Sequence, residues 1–302
     1  MRITTTAAVG AVLLAASGAT AGQPQYTITD LGVVNPADFA SQGLGISPGG
    51  IAFGTSAGDG SSAFTWTPGT GLVALPNAAG SSFSAANGAN DSGLVVGTGS
   101  TTFFGSNAVP VLWTDGVASQ LDIISGLGVG RANDVNASGI VVGSNGGGVQ
   151  EVATFWSGGQ VNAITATTAG GASMTTAFRI NDAGMVAGVG TDPSNPARNV
   201  GLMYNIDTGV LTEIPALSDQ NGTIAFDISQ NGFVVGSSSF NQADGTPFIW
   251  SEATGSVEIG LPDGASTAGA RGVNSDGWVV GTGGGQFARP YLFDGTDTFL
   301  LQ

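Results

Sequence analysis

The side chains that could carry out chemistry in this 302-residue sequence are mostly carboxylates. There is no His and no Cys, and all six basic residues are Arg, against 21 Asp and Glu. These absences exclude a Ser-His-Asp triad, a Cys nucleophile, a His or Cys zinc site and a Lys Schiff base. The net charge of −15 also excludes nucleic acid as an expected partner, since that binding depends on basic residues that neutralise phosphates.

Three arginines recur at a similar place and are candidates for ligand binding. Arg131, Arg179 and Arg271 each stand a few residues before the Asn or Ser of a repeated turn motif. We expect them on equivalent strands of a repeated fold, where they either hold an anionic ligand or pair with nearby acids. The acids in reach along the sequence are Asp134, Asp182 and Asp227. Because the chain is so acidic, pairing is the favoured interpretation.

Aromatic residues that depart from the repeat form a second group of ligand-binding candidates. Phe103, Phe104 and Phe240 lie in long connections, and Trp278 stands where the other copies have Ile, Leu, Met or Phe. Rings carried by loops can contact a glycan or a protein partner. The alternative is that they pack locally within their loops.

Two short oxygen-rich loops make calcium the only cofactor that we consider. They begin at Asp192, in the sequence Asp-Pro-Ser-Asn, and at Asp294, in the sequence Asp-Gly-Thr-Asp that ends at Asp297. Calcium takes six to eight oxygen ligands, and neither loop matches the twelve-residue EF-hand pattern. Asp192, Asp294 and Asp297 are therefore weak candidate ligands.

These residues are set in a repeat that organises nearly the whole chain. An apolar residue, an Asn or Ser, two variable residues and a Gly are followed by a short apolar stretch and a second Gly. Six copies occur, with their first glycines 43 to 48 residues apart. The Asn or Ser positions are Ser47, Asn90, Asn136, Asn181, Ser229 and Asn274. Each copy continues to an aromatic residue, at Trp66, Trp113, Trp156, Tyr204, Trp250 and Phe293, and then to a last short apolar stretch.

The repeat predicts an all-β fold, a six-bladed β-propeller with about four strands in each blade. Strand-length runs are bounded by Gly, Asn, Asp and Ser, and no sustained helical period is present. Propeller blades have about 40–50 residues each. The first Gly of each copy fits a tight turn, and the second is expected to admit a close neighbour. An extra strand at residues 26–31 is expected to help close the ring. The alternative architecture is a β-solenoid.

The phrase from Ala177 to Gly184, Ala-Phe-Arg-Ile-Asn-Asp-Ala-Gly, and the Ala-Phe-Thr-Trp from Ala63 to Trp66 resemble the extracellular HAF repeat family. The resemblance extends from about residue 26 to residue 302. It implies an exported bacterial protein and names no activity. Many members of that family carry a Pro-Glu-Pro sorting tail. The segment Phe299-Leu-Leu-Gln302 does not match that tail, so sorting by that route is not expected.

The N-terminal residues 1–21 have the pattern of a secretory signal peptide. Arg2 precedes a short apolar run, and Ala19-Thr-Ala21 supplies the small residues of a cleavage site before Gly22. We therefore expect a secreted protein in which residues 22–302 form a single propeller domain. The sequence shows no second apolar segment of spanning length, and a monomer is expected.

Three functions from different classes fit this sequence. The first is a non-catalytic binding or scaffold module for extracellular glycan or a surface protein, which the missing nucleophiles and bases favour. The second is a structural matrix component that assembles edge to edge. The third is a secreted carbohydrate-active enzyme, either a hydrolase that uses two carboxylates or a lyase that uses Tyr or Arg.

Overall fold

The structure is a computed structural model that describes residues 27–102, 105, 107–239, 245–284 and 288–301. In these ranges the chain is all-β apart from one short 3₁₀ turn, Gly148–Gln150. No helix among the described residues has the length and hydrophobicity needed to cross a membrane. The described residues form twenty-four strands in six antiparallel sets of four, one for each repeat, which we number as blades 1 to 6. The predicted signal peptide lies outside the described residues.

The chain divides into two compact units, Met1–Leu121 and Asp122–Gln302, and the first unit holds two blades. Blade 1 contains β1 Ala40–Ile46, β2 Ala52–Ala57, β3 Ser61–Thr67 and β4 Gly71–Ala74. Blade 2 contains β5 Phe83–Ala89, β6 Val95–Ser100, β7 Val109–Thr114 and β8 Val117–Gln120. A single parallel pairing of Ser61 with Phe83 connects the two blades.

The second unit holds the other four blades. Blade 3 contains β9 Gly130–Val135, β10 Val141–Asn145, β11 Val152–Ser157 and β12 Gln160–Ala163. Blade 4 contains β13 Ser173–Ile180, β14 Met185–Asp192, β15 Asn195–Asn205 and β16 Leu211–Glu213. Blade 5 contains β17 Gly222–Ile228, β18 Val234–Ser239, β19 Thr246–Ser251 and β20 Gly255–Glu258. Blade 6 contains β21 Thr267–Val273, β22 Val279–Gly284, β23 Arg289–Phe293 and β24 Thr298–Leu300.

The repeated turn joins the first strand of each blade to the second and can also link neighbouring blades. In blade 4, Asn181 Oδ1 accepts the N–H of Ala183 at 3.1 Å and that of Met185 at 3.0 Å, while Gly184 has a φ of 72°. Asn181 Nδ2 donates to the carbonyl of Ser229, the equivalent residue of blade 5, at 3.1 Å. The first Gly has a positive φ in all six copies, so the predicted tight turn is confirmed.

The second Gly of each repeat is required by a close approach of backbone, as predicted. A Cβ on Gly236 would lie 1.9 Å from the carbonyl oxygen of Ile224 and 3.0 Å from the ring of Phe248. The same carbonyl position lies 1.9 to 2.2 Å from such a Cβ in every blade. No side chain fits at that distance, which is why this position is Gly in all six copies.

Within each unit, the core lies between successive blades and includes the repeated aromatic residues. Trp113, Trp156, Tyr204 and Trp250 are buried, and the indole of Trp156 donates to the carbonyl of Asp122 at 2.7 Å. One core cluster joins Ile214 of blade 4 to aromatic and aliphatic residues of blade 5. Burial of one such ring contributes about 1.5–3 kcal/mol, so these packed faces are the main stabilising contribution of each blade.

The extra strand expected at residues 26–31 is absent from the described part of that segment. Residues 27–31 form no strand, and Ile28 is 81% exposed; Tyr26 lies outside the described residues. The outermost position of blade 6 is filled instead by β24, where Thr298 pairs with Phe293. The four strands of blade 6 are therefore complete without a contribution from the N-terminal segment.

Candidate functional site

The first strand of each blade carries a β-bulge that presents two successive residues together. The pairing register slips by one residue two to three positions before the turn residue in all six blades. A bulge re-aims side chains, and in blades 3 to 6 both members of each pair escape full burial. The bulge pairs are Leu44-Gly45, Asn87-Gly88, Asn133-Asp134, Phe178-Arg179, Phe226-Asp227 and Arg271-Gly272.

The second members of three bulge pairs in the second unit form a charged row of Asp134, Arg179 and Asp227. The first strands β9, β13, β17 and β21 lie side by side in chain order, so equivalent positions become neighbours. Arg179 Nε lies 3.9 Å from Asp227 Oδ1, and Arg179 Nη1 donates to the carbonyl of Asn133 at 3.3 Å. One guanidinium therefore spans three successive blades.

Both carboxylates of the charged row are held by the blade that follows. Asp134 Oδ2 accepts the N–H of Ile180 at 3.0 Å, and Asp227 Oδ2 accepts the N–H of Val273 at 2.8 Å. These hydrogen bonds fix the orientation of each carboxyl group. Side-chain exposure is 29% for Arg179 and 18% for Asp227, so the row is sheltered and still open to solvent.

The sheltered position changes the acidity of both aspartates. Burial raises the pKa of Asp134 and of Asp227 to about 6, from an ordinary value of 3.8. The positive charge of Arg179 lowers both pKa values and only partly offsets the burial. Asp134 also raises the pKa of Asp227, because two negative charges near each other are unfavourable. Both groups therefore exchange protons close to neutral pH.

The first members of the next bulge pairs form a stacked row of Phe178, Phe226 and Arg271. The rings of Phe178 and Phe226 have centroids 5.9 Å apart and are tilted by 35°. Arg271 Cζ lies 4.1 Å from the centroid of the Phe226 ring, a cation–π contact. The bulge thus sets an apolar and cationic row beside the charged row.

The structure brings together only some of the residues that the sequence singled out. Arg179 is a member of the charged row and Arg271 is a member of the stacked row. The predicted pairing is found between Arg179 and Asp227. Arg131 lies on the equivalent strand β9, is exposed, and is a member of neither row. Asp182 accepts the N–H of Ala137 at 2.8 Å instead of pairing with arginine.

The aromatic candidates are placed only in part. Trp278 is half-buried directly after the turn of blade 6, where its backbone N–H donates to Asn274 Oδ1 at 2.9 Å. Phe103, Phe104 and Phe240 lie outside the described residues. Their role in binding therefore stays a prediction.

The calcium candidates are engaged in local contacts. Asp192 accepts from Ser194 and pairs with Arg198 at 2.9 Å, and together these contacts lower its pKa to about 2. Asp294 Oδ1 accepts the N–H of Thr296 and that of Asp297, both at 2.9 Å. Among the residues that the structure describes, no three carboxylates come together as a metal site would need.

Sequence reasoning missed Phe178, Phe226 and the buried Tyr291, and it treated the aspartates only as partners for arginine. A signal for the bulge pairs was available in the repeat itself. When the copies are aligned on the first Gly, the residue directly before the turn is aliphatic or Ala in every copy. The two positions before that residue change from apolar to amide to charged. Variable chemistry at a fixed structural position marks the site.

Comparison with known proteins identifies the fold. No protein-family model matches the chain, and no curated protein matches it in sequence. The virginiamycin B lyase from Staphylococcus aureus is similar with a TM-score of 0.56 and 9% identity over 89% of this chain and 86% of that chain. A puromycin hydrolase mutant is similar with a TM-score of 0.53 and 15% identity, over 85% of this chain and 44% of that chain.

A third similar structure is the β-propeller domain of the Trilobed protease from Pyrococcus furiosus. Its TM-score is 0.52 at 13% identity, over 88% of this chain and 84% of that domain. At such identities the likeness concerns the fold alone. Together with one four-stranded blade for each of six repeats, it confirms the predicted β-propeller and excludes the β-solenoid.

Proposed function

We propose that the protein is an exported carbohydrate-active enzyme, a hydrolase or a lyase, whose acid–base groups are Asp134 and Asp227. The observation that carries this proposal is the arrangement of two carboxyl groups in the same row as Arg179, each fixed by a backbone N–H of the next blade and each with its pKa raised by burial to about 6. A general acid or base works best when its pKa lies near the working pH. In a chain without His, Cys or Lys, these two groups are suited to that role.

The contacts of the charged row give each residue a task. The hydrogen bond to Oδ2 fixes each aspartate, so one carboxyl group can give a proton to a leaving oxygen while the other takes one up. In hydrolysis that second proton comes from water, and in elimination it comes from a sugar carbon. Arg179 stays charged throughout and would stabilise negative charge that develops on the substrate. The rings of Phe178 and Phe226 offer an apolar surface for a sugar ring.

The wider setting supports the proposal in a limited way. The similar structures include a lyase and part of a hydrolase, which supports a hydrolase or lyase by analogy of fold. Export rests on the signal-like segment at residues 1–21 and on the resemblance to the HAF repeat family. Export is therefore part of the proposal.

The test is a turnover screen on soluble polysaccharides, read as reducing ends and as unsaturated sugar ends. We expect release by the native protein and a loss of about 100-fold in rate for Asp134→Asn and for Asp227→Asn. Asp182→Asn is the matched control, because this aspartate also accepts a backbone N–H from its neighbouring blade, and it should keep its rate. Absence of release from every polysaccharide, or equal rates in all variants, contradicts the enzyme proposal.

One observation favours a second candidate function, a binding module for glycan or a surface protein without catalysis. Each carboxylate of the charged row already bonds the next blade, which gives it a structural use that needs no turnover. Saturable glycan binding by the native protein without release of products would select this function over the enzyme.

A further inference from the structure

Arg271, in blade 6, differs from the two arginines of blade 4 because its charge is unpaired. Arg179 pairs with Asp227, and Arg198 pairs with Asp192 and Glu213. Among the described residues, the Arg271 guanidinium has no carboxylate within 4.0 Å and donates no hydrogen bond. Arg131, on the first strand of blade 3, likewise forms no ion pair among the described residues, so the feature that sets Arg271 apart is its contact with the Phe226 ring.

The geometry of Arg271 holds its donors ready for a ligand. Its Cζ lies 4.1 Å above the Phe226 ring, and Phe226 packs in turn on Phe178. Stacking limits the movement of the guanidinium plane, while its N–H groups lie along the edge of that plane. Arg271 is exposed, so a solute can reach this edge.

A buried hydroxyl in the same blade provides a control for the exposed site at Arg271. The Tyr291 hydroxyl is buried and has no hydrogen-bond partner among the described residues. Burial raises the pKa of Tyr291 and the charge of Arg271 lowers it, so the phenol remains protonated and Arg271 is its charged neighbour. Phe64 and Phe248 occupy the equivalent position in blades 1 and 5, so packing there does not require a hydroxyl.

We propose that Arg271, held against the Phe226 ring, binds the carboxylate of an acidic sugar, so that the substrate class is uronate-containing glycan. A planar guanidinium matches a carboxylate through two parallel hydrogen bonds. One unpaired arginine balances the single charge of a carboxylate, whereas a phosphate dianion would need more cations. The stacked row continues from this point toward the charged row, as a sugar chain would require. This inference rests on the proposed function and deepens it.

The test is calorimetric titration of the full protein with trigalacturonate and, in parallel arms, with acetate and with the neutral trisaccharide maltotriose. Arg289→Gln is the matched control, because Arg289 is another exposed arginine of blade 6 and its loss changes the net charge equally. We expect Arg271→Gln to weaken trigalacturonate binding by about tenfold or more, and Arg289→Gln by less than about twofold. Tyr291→Phe removes only the buried hydroxyl, so it should leave binding within about twofold and the unfolding midpoint unchanged or higher.

The outcomes separate this inference from the proposed function. Failure of the native protein to bind trigalacturonate, or equal weakening by the two arginine variants, overturns the carboxylate site. Binding of acetate alone as tightly as trigalacturonate would assign the site to free carboxylates and overturn the sugar. Turnover of a neutral polysaccharide with no uronate binding would keep the enzyme and reject this substrate class, whereas uronate binding without turnover would do the reverse.

Discussion

The same β-bulge carries different side chains in blades 1 and 2 from those that it carries in blades 4 and 5. Leu44-Gly45 and Asn87-Gly88 carry no charge, and their second member has no side chain. Phe178-Arg179 and Phe226-Asp227 have a ring followed by a charge at the same positions. The backbone slip is the same in all four blades. The repeat therefore determines the backbone of each blade. Charged and aromatic side chains of the candidate site occur at the bulge positions, where the residue type differs between copies.

The largest expected effect comes from adding a side chain at the second glycine of the repeat. Gly236→Ala would place a methyl group 1.9 Å from the Ile224 carbonyl oxygen, so we expect a loss of about 5 kcal/mol or more, or failure to fold. Gly232→Ala, at a turn with a φ of 83° and open space around it, should cost about 1 kcal/mol. Urea unfolding of both variants measures the two losses in the free energy of unfolding. Equal losses would show that the close approach does not explain the second glycine.

Phe226 on β17 and Phe248 on β19 provide a matched comparison between the candidate site and the core of blade 5. Phe248 is fully buried in the core, and Phe248→Ala should cost about 3–5 kcal/mol. Phe226 is half-buried in the stacked row, and Phe226→Ala should cost about 1 kcal/mol while removing the support of Arg271. Thermal unfolding of both variants checks the order. A larger loss at Phe226 would make the stacked row part of the core.

The turn asparagines separate a link between blades from a turn alone. Asn181 and Asn274 each accept N–H groups of their own turn through Oδ1. Asn181 Nδ2 also donates to the carbonyl of Ser229 in the next blade. We expect about 2 kcal/mol for Asn181→Ala and about 1 kcal/mol for Asn274→Ala in chemical unfolding. If the order is reversed, the hydrogen bond between blades contributes little.

The smallest expected change is a gain in stability. The folded pKa of Asp227, about 6, lies above its ordinary value of 3.8, so its stabilising contribution is complete below about pH 4 and is lost as the pH rises through 6. Asp227→Asn removes the buried charge and should raise the free energy of unfolding at pH 7 by about 1 kcal/mol. The difference should shrink toward pH 4. A variant that is less stable at pH 7 would mean that the ion pair with Arg179 outweighs the burial of the charge.

Much of the frame could be predicted from the sequence because it repeats. Six copies of the turn glycine and six aromatic residues define the blades, their strand order and the positions of the tight turns. The second glycine was predicted to admit a close neighbour, and a carbonyl oxygen is that neighbour in each blade. The prediction of a strand at residues 26–31 was wrong for residues 27–31, which the structure describes. An isolated apolar stretch gives no sign of whether its pairing position is already taken.

The site was less predictable because it depends on neighbours that are about 46 residues apart in sequence. Arg179 and Asp227 meet only because a bulge turns both side chains to the same side of adjacent strands. The sequence could suggest their pairing, but it could not show that Asp134 and Asp227 are sheltered enough to raise their pKa values. Phe226 was missed because an aromatic residue on a strand is ordinarily read as core.

A carboxyl-carbon NMR titration of the protein between pH 3 and pH 8, with Asp134→Asn and Asp227→Asn as assignments, decides whether the charged row can exchange protons near neutral pH. We expect two aspartate signals to titrate at about pH 6, and each to be lost in its own variant. If every carboxyl group titrates below about pH 5, the charged row is an ordinary ion pair at the solvent surface, and the acid–base site in blades 3 to 5 is contradicted.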